Sequence, residues 1–177
     1  MERVAQSVEL LLDDELDAAV RREWRLLLDA GPPSQARHTG ESNAPHVTVG
    51  VATSVTEAAD AALAPVHPTT GPDICLGGHL VFGGERFVLS RLVVPSADLL
   101  AIHHQVHEAW NGMPGLPGTM RPGRWTPHVT LARWLDPTQL AAALEVLRHE
   151  PRELVGKVGA LRRWDPETRT TWEPVVQ

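Results

Sequence analysis

A five-residue phrase occurs twice in this chain, as Pro45-His46-Val47-Thr48-Val49 and again as Pro127-His128-Val129-Thr130-Leu131. Two copies of one phrase call for two copies of one local structure. In an extended strand, successive side chains alternate between faces, so His46 and Thr48 point one way while Val47 and Val49 point the other. His128 and Thr130 are set against Val129 and Leu131 in the same manner. Each copy thus offers an imidazole and a hydroxyl on one side and an apolar pair for a core on the other. Two such strands side by side would ring one cleft with two histidines and two threonines. That set suits a phosphodiester: one imidazole takes a proton from the attacking oxygen, the other gives one to the leaving oxygen, and the hydroxyls bind the non-bridging oxygens.

The remaining pattern supplies a scaffold for those strands. Residues 4–12 read as a strand with Val8, Leu10 and Leu12 alternating, and residues 13–30 as a helix with Leu16, Val20, Trp24 and Leu27 on one face and Gly31 as its stop. A polar loop, 31–44, carries Arg37 and His38 to the first motif. Beyond that motif, Thr53 or Ser54 is expected to cap a short helix packing through Val55, Ala58, Ala59, Ala62 and Leu63, with Pro65 and Pro68 ending it. Residues 73–94 read as two or three strands broken at Gly77-Gly78 and Gly83-Gly84. Pro95-Ser96 opens a helix with Leu99, Ile102, Val106 and Trp110 inward, closed by Asn111-Gly112. The loop 111–127, rich in glycine and proline and carrying Arg121, Arg124 and Trp125, then delivers the second motif. Asp136 and Pro137 start a helix through Leu140, Leu144 and Leu147, and strands at 153–161 and 170–176 close the chain across Asp165-Pro166-Glu167. The expectation is one α+β domain, residues 1–177, of two pseudo-symmetric lobes, with antiparallel sheets lining a central cleft and helices outside.

Composition narrows the function classes. A net charge of −6 argues against a protein that coats nucleic acid by bulk attraction. No apolar stretch approaches the roughly 20 residues of a membrane span, and the sole cysteine, Cys75, is expected as a buried structural thiol in a reducing, cytoplasmic setting. His103 and His107 are one helical turn apart, but with no Cys and no His-Glu-x-x-His pattern they read as a solvated helix flank, not a metal site. Arg21-Arg22 and Arg162-Arg163 read as surface charge.

With its two His-x-Thr-hydrophobic tetrapeptides, His46 to Val49 and His128 to Leu131, 82 residues apart, the chain resembles the 2H phosphoesterase superfamily, and within it the bacterial 2′-5′ RNA ligase-like proteins, or RNA 2′,3′-cyclic phosphodiesterases. The resemblance implies opening of 2′,3′-cyclic phosphates on RNA ends or small cyclic nucleotides to 2′-phosphates, with no metal or other cofactor and no membrane, by a monomer. It implies His128 as base, His46 as acid, and Thr48 and Thr130 as phosphate ligands. Leu131-Ala132-Arg133 matches a family extension that adds Arg133 to the phosphate, although strict alternation points Arg133 away from His128 and Thr130. Tyrosine is absent, so Trp125 is the nearest base-stacking candidate. The same site run backwards would join ends through a 2′-5′ bond. Two rival readings are a non-catalytic module binding a nucleotide or phosphorylated end, and a phosphoesterase for a non-RNA cyclic phosphate.

Overall fold

The computed structural model describes residues 5–66 and 71–174. Its elements are β1 (Gln6–Leu12), α1 (Asp14–Ala30), β2 (His46–Ala52), α2 (Glu57–Ala61), β3 (Asp73–Phe82), β4 (Phe87–Val93), α3 (Ala97–Ala109), β5 (His128–Leu135), α4 (Pro137–Leu147), β6 (Leu154–Asp165) and β7 (Thr170–Trp172). The helix boundaries follow local chemistry. Asp13, Ser96 and Asp136 each accept a backbone N–H of the first turn they precede, and Gly31 ends α1 at φ 101°, a conformation that favours glycine.

All strand pairs are antiparallel, in the order β1-β2-β5-β4-β3-β6-β7. Because β1 also pairs with β6, the first six strands close on themselves. The long strand β6 makes this closure: its first residues, Leu154 to Lys157, pair with β3, and Val158 onward pairs with β1. At the handover β6 carries one extra residue, Gly159, between Val158 and Ala160, which pair with the adjacent Leu12 and Leu11, and a Cβ on Gly159 would lie 2.6 Å from the Leu12 carbonyl oxygen. Only glycine permits that approach.

Across the ring from β6 the closure is thin. Strands β2 and β5 share a single register pair, Val47 with Val129. There the sheet divides into its two halves, β1-β2 and β5-β4-β3, and the repeated phrases lie side by side at the division. The helices cross it. Helix α1 packs on β5 and β6 and against α4, whereas α3 packs on β2. Val47, Val49, Val129 and Leu131 are buried beneath them with Trp24, Leu27, Val106 and Trp110. The apolar side of each phrase therefore holds the lobes together, which leaves the polar side free for chemistry.

Several details differ from the sequence reading. The short helix α2 is capped by Thr56, not Thr53 or Ser54, and only Ala59 and Leu63 of the expected packing face are buried there; Ala58 and Ala62 are exposed. The helix ends four residues before Pro65, while Pro68, Val4, Val175 and Val176 lie outside the described residues. Gly77-Gly78 does not break a strand: both glycines sit inside β3, where the register shifts, so the segment makes two strands. Leu144 is exposed on α4, and Cys75 is half-buried, with burial raising its thiol pKa.

The largest correction concerns Arg162 and Arg163, which are buried. Arg163 is held between the Trp110 and Trp172 rings, 4.7 Å from each centroid, and bonds Asp60, Gln6 and the Ser7 carbonyl. A pair of arginines looks like surface charge only while their partners, distant in sequence, are unseen.

Candidate functional site

Both motif histidines are fixed by the residue two before them. His46 Nδ1 donates to the Ala44 carbonyl at 2.7 Å, and His128 Nδ1 to the Thr126 carbonyl at 2.8 Å. A carbonyl only accepts, so each ring carries its proton on Nδ1 when neutral and keeps Nε2 for exchange. The prolines at 45 and 127 make this local contact natural, since they lock φ and hold the preceding residue extended.

The threonines are braced as symmetrically. With only one register pair between β2 and β5, the carbonyl of Thr130 accepts the indole N–H of Trp24 at 3.0 Å, and that of Thr48 accepts the indole N–H of Trp125 at 3.1 Å. Antiparallel register about Val47 and Val129 sets His46 across from Thr130 and Thr48 across from His128.

Arg133 joins this face through a bulge. Leu89 pairs with Ala132 but its neighbour Ser90 pairs with Thr130, so Leu131 is an extra residue in β5. Leu131 and Ala132 are consequently both buried, and the alternation is reset for Arg133. Arg133 lines a cavity of about 170 Å³ together with His46, Thr130, Trp24, His38 and Asn43. Trp134, the next residue, is exposed at φ 63°, a left-handed conformation that follows the bulge.

A second cavity of about 320 Å³ adjoins the first and shares His46, His38 and Asn43 with it. Glu9, Ser42, Arg162 and Trp164 line its other side. Asn43 shapes the loop between the cavities by donating to the Gln35 and His38 carbonyls. Arg37, which the sequence sets beside His38, turns instead to the Gly31 carbonyl.

The two histidines share a hydrogen-bond pattern but not an electrostatic setting. Burial holds the pKa of His128 below the ordinary histidine value despite the opposing Thr126 carbonyl, and the charges of Arg133 and His46 add to the lowering. The Phe82 ring packs at 4.6 Å from the imidazole of His128, tilted by 59°. His46 Nε2 faces a carboxylate, Glu9 Oε1, at 3.6 Å. Burial would raise the pKa of Glu9, but His46, Arg162 and Ser7 outweigh it and hold the carboxyl below its usual range. Glu9 escapes a reading of the sequence; its one signal is a carboxylate set between the alternating apolar residues Val8, Leu10 and Leu12.

Trp125 lies beside the second motif, with one face stacked on His103 at 4.0 Å and 4° and its N–H given to Thr48. His103 is itself buried and bonds the Met120 carbonyl, so it is a strut for the 111–127 loop and not a solvated flank. Among the described residues no three His, Cys, Asp or Glu side chains group as metal ligands, and no helix is long and apolar enough to cross a membrane.

An antiparallel α+β ring of this kind is the fold of the 2H phosphoesterases. Residues 12–170 match the 2′-5′ RNA ligase superfamily, and the chain belongs to it. Membership makes the protein a phosphoesterase or ligase by class. A comparison with curated protein sequences finds no match. Among solved structures, Usb1 of Kluyveromyces marxianus is similar at TM-score 0.52 and 12% identity, covering 96% of this chain and 97% of that one. Usb1 of the same organism with uridine monophosphate gives TM-score 0.54 and 12% identity, covering 96% and 98%. At that identity the likeness is one of fold.

Proposed function

We propose that the protein opens 2′,3′-cyclic phosphates, on RNA ends or small cyclic nucleotides, to 2′-phosphates by two-histidine acid/base catalysis. The observation that carries this reading is the pairing of β2 with β5 at Val47 and Val129, with each histidine's Nδ1–H tied back and its Nε2 left for exchange. In this scheme His128 takes a proton from water as the water oxygen attacks phosphorus. The bond from phosphorus to the 3′ oxygen breaks, and His46 protonates that oxygen. Both proton transfers are thus assigned, and no metal is needed to complete them. Thr48 and Thr130 hydrogen-bond the non-bridging oxygens, and Arg133 offsets their charge. Phe82 and Trp125 are the aromatic side chains proposed to flank the base. With a 5′-hydroxyl as the attacking group in place of water, the same displacement of the 3′ oxygen joins two ends through a 2′-5′ bond.

The test is turnover of the four nucleoside 2′,3′-cyclic monophosphates and of a short RNA with a cyclic phosphate end, chelator present. Chelator-resistant release of the 2′-phosphate is expected; no turnover of any of them would overturn the reading.

Two outcomes follow from the electrostatics. The kcat/KM profile should be bell-shaped, and its acidic limb, where His128 must lose a proton to act as base, should lie below the ordinary histidine value because of burial and Arg133. Arg133→Met removes one lowering charge and one phosphate ligand. Its acidic limb should move to higher pH and its KM should rise about tenfold, the loss of one charge-assisted hydrogen bond of about 1.5 kcal/mol. Steady-state rates across pH 4 to 9 for both proteins read both effects.

A further inference from the structure

We infer that Glu9, backed by Arg162, is a positioning residue that reserves His46 for the acid role and so breaks the near-symmetry of the two motifs. The inference rests on the two-histidine reading and goes beyond it by assigning the direction of proton flow to a third residue.

The geometry is built for this. Glu9 is buried on β1, and its two oxygens have separate duties. Oε2 accepts both Nε and Nη2 of Arg162, at 3.0 and 2.6 Å, from the register position directly opposite on β6. Oε1 accepts the Ser7 hydroxyl at 2.7 Å and faces His46 Nε2 at 3.6 Å. Arg162 is anchored in turn by the Ser42 carbonyl at 3.1 Å, in the loop that leads to the first motif. A carboxylate with one oxygen engaged by a guanidinium stays ionised and stays put, and its other oxygen then favours a proton on the imidazole it faces.

The second motif has the opposite neighbour. The cation Arg133 acts on His128, and no described carboxylate is among the groups that shift its pKa. Arg133 lines the cavity with His46 as well, so what distinguishes the two imidazoles is the carboxylate that His46 faces. Groups with divergent settings divide into acid and base.

The groups facing His46 are Glu9 from β1, His128 and Arg133 from β5, His38 from the entering loop, and Arg162 from β6 behind Glu9. Only Glu9 among them is an anion.

The experiment compares steady-state turnover of a nucleoside 2′,3′-cyclic monophosphate and of an aryl phosphodiester with a readily departing phenolate by the wild type, Glu9→Gln and Glu9→Asp. On the cyclic nucleotide, whose 3′ oxygen must be protonated as it leaves, Glu9→Gln should lose about tenfold in kcat with KM nearly unchanged. On the aryl substrate, which needs no such proton, the same variant should keep most of its activity, an outcome that a merely structural role would not give. Glu9→Asp, which keeps the charge but draws the carboxylate back from His46, should lose a smaller factor, again on the cyclic nucleotide only, and it gives a reading even if Glu9→Gln does not fold. Equal losses on both substrates, or no loss on the cyclic nucleotide, overturn the inference. Absence of turnover of both substrates in the wild type would instead fail the proposed function itself.

Discussion

Alanine at His128 is expected to cut turnover of a 2′,3′-cyclic phosphate by about 10²–10⁴-fold, the usual worth of one positioned proton-transfer group. Alanine at His46 should cost a similar factor. Neither change should unfold the protein, because both imidazoles are partly exposed at the cleft and the buried side of each strand is carried by Val47, Val49, Val129 and Leu131. The double variant should lose little more than the worse single one, since the two act in one step. The two losses can be told apart by the leaving group. An aryl phosphodiester whose phenolate departs readily needs no protonation, so His46→Ala should regain most of its activity on that substrate. His128→Ala should not, because water must still be activated. The reverse pattern would exchange the two roles, and equal losses on both substrates would deny that the histidines divide the work.

The repeated phrase makes the centre of this site legible in the amino-acid sequence, because alternation along a strand is a local rule. His46, Thr48, His128 and Thr130 are placed together by the same rule that buries Val47 and Val129. The helix caps at Ser96 and Asp136 are legible for a similar reason, each needing only the next turn of chain. What stays hidden is whatever depends on a partner far along the sequence. Strict alternation points Arg133 the wrong way, and its position comes from a bulge at Leu131 that is defined only against Leu89 and Ser90 of β4. Arg162 and Arg163 read as surface charge because Glu9, Asp60, Trp110 and Trp172 reach them only through the folding of distant segments. Trp24 is legible as a core residue of α1, but not its N–H bond to the second motif's Thr130 carbonyl. Polar groups that hold a fold from within are the hardest to read in one dimension, since burial is what gives them meaning.

That lesson sets the largest stability effect expected in this protein. Arg91 on β4 and Glu23 on α1 are each about 1% exposed and form a close ion pair in which both carboxylate oxygens are engaged. The same guanidinium donates to the carbonyls of Gly77, Pro151 and Arg152, at 3.0, 2.8 and 3.1 Å, so one side chain ties α1 to β4, β3 and the approach to β6. Glu23→Ala leaves that cation buried with only neutral acceptors, and a lost partner of this kind costs about 3–5 kcal/mol. For a chain of this length the melting temperature should fall by about 6–20 °C. Replacing both residues by methionine removes the stranded charge and should recover a good part of the loss, but not all of it, because three carbonyls, the buried one of Gly77 among them, then lack their donor. Urea unfolding of the wild type, Glu23→Ala and the double methionine variant measures this directly. A loss below about 1 kcal/mol in Glu23→Ala would mean that water reaches Arg91 when its partner is gone. The effect on the site should be smaller and indirect. Glu23 precedes Trp24, whose indole holds the Thr130 carbonyl, so turnover well below the melting transition should survive in Glu23→Ala to the extent that α1 keeps its place on β5.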